Sequence, residues 1–229
     1  MRKREIGKQD RGRVPGWRGF AALALAVLTA FALPLGAEAA ARKTVFIGDS
    51  RTVGYYVAGT GGNAVSKVCT TDENGDFWVA RTGQGIDWAQ KTAVPKADSK
   101  VGADTDVIFC IGINDTFSTK GRAKTVKLVN QKAAAWKERG ARTFFVSILP
   151  IKSDGEGYTN KEVTAWNTYL RENLSEDVYW IDLVTPTSGI LQYADRFHFQ
   201  YTTYRMIYQY LKIVTQYTAA VEDGQGEQT

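Results

Sequence analysis

Five short apolar runs limit what this chain can become: Lys43–Ile47, Phe77–Ala80, Val107–Ile111, Thr143–Leu149 and Val178–Leu183. Each has strand length, and several are nearly continuous in apolar residues where a half-exposed strand would alternate. A strand covered on both faces has no reason to alternate. Between the runs lie helical periodicities. Val126, Val129, Ala133 and Trp136 recur at spacings of three and four. Val163, Trp166, Leu170 and Leu174 do the same behind Thr159-Asn160-Lys161-Glu162, which has the form of a capping box. Tyr204, Ile207, Tyr208, Leu211 and Val214 make a closing helix. Strands alternating with helices predict βαβ units, hence an α/β fold whose mainly parallel, five-stranded sheet carries helices on both sides.

With 229 residues the chain has material for one domain and a full core. Its net charge of +5 is local: residues 1–18 hold seven basic and two acidic side chains, whereas 22 basic and 21 acidic residues remain beyond residue 39. That balance gives no electrostatic case for a nucleic-acid partner. The basic start leads into the uncharged stretch Gly19–Ala37 and then Ala37-Glu38-Ala39. A positive region, an apolar region and a small-x-small site make residues 1–39 a secretory signal peptide, cut after Ala39. The alternative is an uncleaved anchor, interrupted by Pro34 and Gly36, and only then does the chain have a membrane partner. Either way the body, residues 40–221, is expected outside the cytoplasm, with 222–229 a flexible polar tail. Cys110 lies inside an apolar run and reads as a buried free thiol, a disulfide to Cys69 being the alternative.

Chemistry gathers at the strand ends. In Val45-Phe46-Ile47-Gly48-Asp49-Ser50 a buried strand runs into a glycine, and a serine hydroxyl sits where the strand finishes. Open α/β sheets bind ligands at that edge. Gly83-Gln84-Gly85 follows the second run and Gly112-Ile113-Asn114-Asp115 the third, so in a parallel sheet all three reach one rim. A glycine there exposes a backbone N–H, and a carboxamide offers another donor to a developing oxyanion. Far downstream, Asp195 precedes His198 by three residues, within reach of one turn, and His198 is the single histidine. An activatable hydroxyl, a base and a group to orient the base are the needs of nucleophilic hydrolysis. Each piece alone has an ordinary explanation as a turn, a helix cap or a surface histidine; the combination is harder to dismiss.

The ordered set Gly48-Asp49-Ser50, a glycine after the second strand, Gly112-x-Asn114-Asp115 and Asp195-x-x-His198 resembles the four blocks of the SGNH, or GDSL-type, hydrolases. The resemblance runs from about Thr44 to the last helix. It implies a three-layer α/β/α sandwich with flavodoxin-like topology and acyl-ester hydrolysis with no metal or other cofactor. By the same resemblance Ser50 is the nucleophile, His198 the base and Asp195 its orienter. The oxyanion donors are then the Ser50 amide, a glycine amide (Gly85, with Gly83 the alternative) and the Asn114 side chain. Two residues depart from the pattern: Arg51 stands where the GDSL name has leucine, and Arg196 where a glycine often sits, which puts the shape of the acyl pocket in question.

Other chemistries fit less well. Gly-Asp-Ser-Arg-Thr lacks the second glycine of a Gly-x-Ser-x-Gly elbow, and no serine has a lysine three positions later. Asp72-Glu73-Asn74-Gly75-Asp76 imitates the start of a calcium loop, but its sixth and twelfth positions are Phe77 and Gly83, so it reads as a turn. One histidine and no paired cysteines leave little for zinc. Tyr55, Tyr56, Trp88 and Phe117 follow the strand ends closely and either line an acyl or sugar site or pack beneath it. The expected function is an exported serine esterase acting on short acyl esters, O-acetylated glycans among them. An O-acyltransferase using the same acyl-enzyme and a non-catalytic glycan-binding protein are the alternatives.

Overall fold

The computed structural model describes residues 42–155 and 157–226, with side chains as far as residue 218. The signal peptide read in residues 1–39 and the last three residues of the tail lie outside this range. Six strands form one sheet: β1 Lys43–Gly48, β2 Lys67–Thr71, β3 Phe77–Arg81, β4 Thr105–Cys110, β5 Arg142–Val146 and β6 Val178–Ile181. Their order is β2-β3-β1-β4-β5-β6. All neighbours pair in parallel except β2 with β3. Without β2, the parallel strands follow the order 2-1-3-4-5, which is flavodoxin-like.

The sixth strand corrects the expected count of five. In β2 only Val68 is buried, so this edge strand carries almost none of the apolar signal that marks the others. It is recruited by the Asp72–Asp76 turn, which does form. Asp72 Oδ1 accepts from the Asn74 and Asp76 amides at 2.9 and 3.1 Å, Gly75 takes φ +82°, and the chain returns as an antiparallel hairpin. Cys69 is exposed on this strand and Cys110 buried in β4, both as free thiols. At the other side of the sheet β5 ends at Val146, three residues sooner than expected. There the Asn167 carboxamide takes over from a strand neighbour, bonding both the N–H and the C=O of Ile148 at 2.8 Å.

Alternate side chains of each strand go to opposite faces. Val45, Ile47, Val107, Phe109 and Phe145 enter one apolar cluster; Phe46, Trp78, Ile108, Phe144 and Val146 enter the other. The first is covered by α2 (Ile86–Trp88), a π-helical turn at Ala89–Ala93, α3 (Val94–Asp98), α4 (Thr119–Lys137) and α5 (Asn160–Asn173). The second is covered by α1 (Ser50–Thr60) and α6 (Tyr201–Gly226). The result is the three-layer α/β/α sandwich. α5 starts on the expected capping box: Thr159 Oγ1 accepts from the Glu162 amide at 3.2 Å, and Glu162 Oε2 from the Thr159 amide at 3.1 Å. α6 continues through residues 222–226, a stretch read from sequence as flexible tail.

Candidate active site

Ser50 is the first residue of α1 because Asp49 caps that helix. The Asp49 carboxylate accepts from the Arg51 amide at 3.0 Å, leaving the next side chain at the helix N-terminus, above the carboxyl end of β1. Asp49 is 2% exposed, and burial raises its pKa to about 6 against the pull of Arg51 and of the Arg51 and Gly112 amides. It is a buried group that braces the turn.

The chain then travels the length of the domain before it returns with the histidine. Ser50 Oγ lies 2.9 Å from His198 Nε2, and His198 Nδ1 lies 2.7 Å from Asp195 Oδ2. The other Asp195 oxygen accepts from the Phe197 and His198 amides at 2.7 and 2.8 Å. Burial works to raise the Asp195 pKa, but the His198 ring and these two amides outweigh it and hold the carboxyl below its ordinary value. An ionised Asp195 accepts, so Nδ1–H donates to it, and Nε2 is left with the lone pair that faces the Ser50 hydroxyl. The three residues picked out from sequence therefore form one continuous line of hydrogen bonds.

The second and third strand ends meet beside it. Asn114 sits in the 3₁₀ turn Ile113–Asp115 and donates Nδ2–H to the Gln84 carbonyl at 2.8 Å. Asp115 Oδ2 accepts from the Ile86 amide at 2.9 Å, and burial raises its pKa. Gly85 lies between those two anchors, where an added Cβ would come within 2.5 Å of the Asp115 carboxylate. Gly83 owes its identity to something else, a φ of +70° with open space around it. Gly112 at φ +135° begins the 3₁₀ turn, and a Cβ there would fall 2.8 Å from Ile148 and from the fully buried Trp166. Gly112 thus cannot carry a side chain without moving Asn114.

The two departures from the pattern are both held by backbone carbonyls. Arg51 is 5% exposed and turned inward, bonded to the carbonyls of Leu149, Pro150 and Phe197. Arg196 donates to the Ser153 and Tyr158 carbonyls at 3.0 and 2.8 Å and lies over the rings of Tyr158 and Phe197. Among the aromatics, Tyr55 is buried edge-on against Tyr204, Tyr56 packs on Trp78, and Trp88 packs on the first cluster. Only Phe117 stays open, 52% exposed and edge-on to Tyr158, whose other neighbour is Phe197 beside the histidine.

No protein-family model matches this sequence, and no curated protein matches it either. Solved structures do match. A GDSL-like lipase from Bacteroides thetaiotaomicron is 15% identical over 87% of this chain and 99% of its own, with a TM-score of 0.60. A putative acylhydrolase from Bacteroides fragilis gives 15%, 90%, 100% and 0.60 for the same quantities. The fold is that of the GDSL-type hydrolases. An acetyl xylan esterase is similar in fold as well, 17% identical over 76% of this chain and 98% of its own, with a TM-score of 0.53. Identities this low carry the GDSL-type architecture and leave the chemistry to the residues themselves.

Proposed function

We propose that this chain is an exported serine esterase that cleaves short acyl esters through an acyl-enzyme on Ser50. The observation that carries the reading is the unbroken line from Asp195 through His198 to the Ser50 hydroxyl, at 2.7 and 2.9 Å. In the first step Ser50 Oγ attacks the ester carbonyl while its proton passes to His198 Nε2. The Ser50 and Gly85 amides and the second Asn114 N–H donate to the oxyanion, and the N-terminus of α1 favours negative charge at the same place. Collapse expels the alcohol with the proton returned by His198. Water then attacks the acyl-serine and gives a proton to His198, which passes it to Ser50 Oγ as the acyl–oxygen bond breaks and the carboxylic acid leaves.

O-acetylated glycans are the substrates we put first. The basic, apolar and small-residue order of the N-terminus supports export, and outside the cell such glycans are available esters. One protein of the same fold is an acetyl xylan esterase, and the exposed Phe117 ring offers a face on which a sugar can stack. The test is a series of p-nitrophenyl esters of rising acyl length, run on wild type and Ser50→Ala, with fluorophosphonate labelling alongside. Acetate should turn over best and the variant should fall to background, unlabelled. Turnover that survives Ser50→Ala would remove the serine from the mechanism.

A further inference from the structure

The residue beside the nucleophile reaches the residues on both sides of the base. Arg51 Nε donates to the Phe197 carbonyl at 3.0 Å, and the guanidinium carbon lies 4.7 Å from the centre of the Phe199 ring. Its other two nitrogens hold the carbonyls of Leu149 at 2.6 Å and Pro150 at 3.2 Å, so it is anchored to the segment that follows β5 as well. The Asp195–His198 loop is closed on itself, with the His198 carbonyl accepting from the Ala194 and Asp195 amides. Closure of that kind shapes the loop but does not set where it sits relative to α1.

The peptide plane joining Phe197 to His198 is held at both ends. Its carbonyl accepts from Arg51, and its N–H donates to Asp195 Oδ1 at 2.8 Å. A plane gripped in this way cannot rotate, and its orientation sets the direction in which the His198 side chain leaves the backbone. Because Arg51 follows Ser50 directly in α1, the same side chain ties the base to the helix that carries the nucleophile. Leucine in this position could reach none of the three carbonyls. Lysine would present a point charge to acceptors that the planar fork meets separately.

We propose that Arg51 is a positioning residue, whose guanidinium fixes the Phe197–His198 peptide and so keeps the imidazole Nε2 on the Ser50 hydroxyl. This rests on the reading of Ser50 and His198 as nucleophile and base. It assigns Arg51 no contact with substrate, so its loss acts on turnover and not on substrate affinity. Misplacement of a catalytic group by an ångström costs about 10²-fold, which sets the size of the effect.

The experiment compares wild type, Arg51→Leu and Arg51→Lys, the lysine variant serving if the leucine variant does not fold. Three quantities are measured: kcat and KM on p-nitrophenyl acetate, fluorophosphonate labelling, and the imidazole N–H proton resonance, unambiguous in a chain with a single histidine. Both variants should lose about 10²-fold in kcat with KM within about twofold, and the low-field His198 Nδ1–H signal should shift or broaden. Wild-type kcat in the lysine variant, or an imidazole resonance unchanged from wild type, overturns the positioning role. A wild type that resists the probe overturns the reading of the site instead, and the resonance still tests Arg51 independently.

Discussion

Asn114 has to serve two neighbours with one carboxamide. One N–H is held by the Gln84 carbonyl, which ties the second strand end to the third, and the other is the donor assigned to the oxyanion. Asn114→Ala should therefore fold with a stability loss of about 1 kcal/mol from the orphaned carbonyl. Its turnover should drop about 10²–10³-fold for the missing donor. A variant with near-wild-type kcat on p-nitrophenyl acetate would take Asn114 out of the site. At this scale Ser50, Asp195, His198 and Asn114 were legible because their types are those that hydrolysis needs and their order puts them at strand ends. Arg51 was not. A charged residue at the second position of a helix faces solvent by default, and it takes the nearby carbonyls of Leu149, Pro150 and Phe197, the Phe199 ring and the Asp49 carboxylate to offset the cost of burying it.

Among the elements, the seating of α1 against α6 governs where Ser50 sits. Gly54 and Gly59 let the two helices close up: a Cβ on either would lie 2.5 Å from the ring of Tyr204 or Tyr208. Those rings have little room to move, since Tyr204 is also packed on Tyr55 and Phe199, and Tyr208 on Phe46 and Trp78. In an exposed helix, glycine to alanine gains about 1 kcal/mol. Here overpacking of about 1–3 kcal/mol works against that gain, so Gly54→Ala and Gly59→Ala should both unfold at lower urea than wild type. A rise in the urea midpoint would show that the rings yield. The strands with long apolar runs and the three periodic helices were readable from the spacing of their own residues. β2 was not, because pairing with β3 supplies what its own residues lack, and neither was α1, whose start depends on Asp49 turning in to cap it.

Across the whole molecule, two carboxylates pull stability in opposite directions with pH. The pKa of Asp49 stands at about 6 when folded, against 3.8 ordinarily. Between those values only the folded chain holds its proton, and the stability this contributes is lost as pH rises through about 6. Asp195 is lowered, so its contribution is present above the ordinary carboxylate range and disappears below it in acid. Asp49→Asn keeps a capping oxygen and removes the buried charge. Relative to wild type its Tm should rise between about pH 4 and pH 6, most steeply near about pH 5, and level off above about pH 7; a constant offset across that range would mean the Asp49 charge is compensated. By itself the sequence determined the layers and the chemical inventory, because side-chain period and strand-end residues are local properties of the chain. Only the tertiary structure decided the sixth strand, the inward turn of Arg51 and the 2.9 Å meeting of Ser50 with His198. These depend on residues brought together from distant parts of the chain, and no local pattern records which partner a backbone group will find.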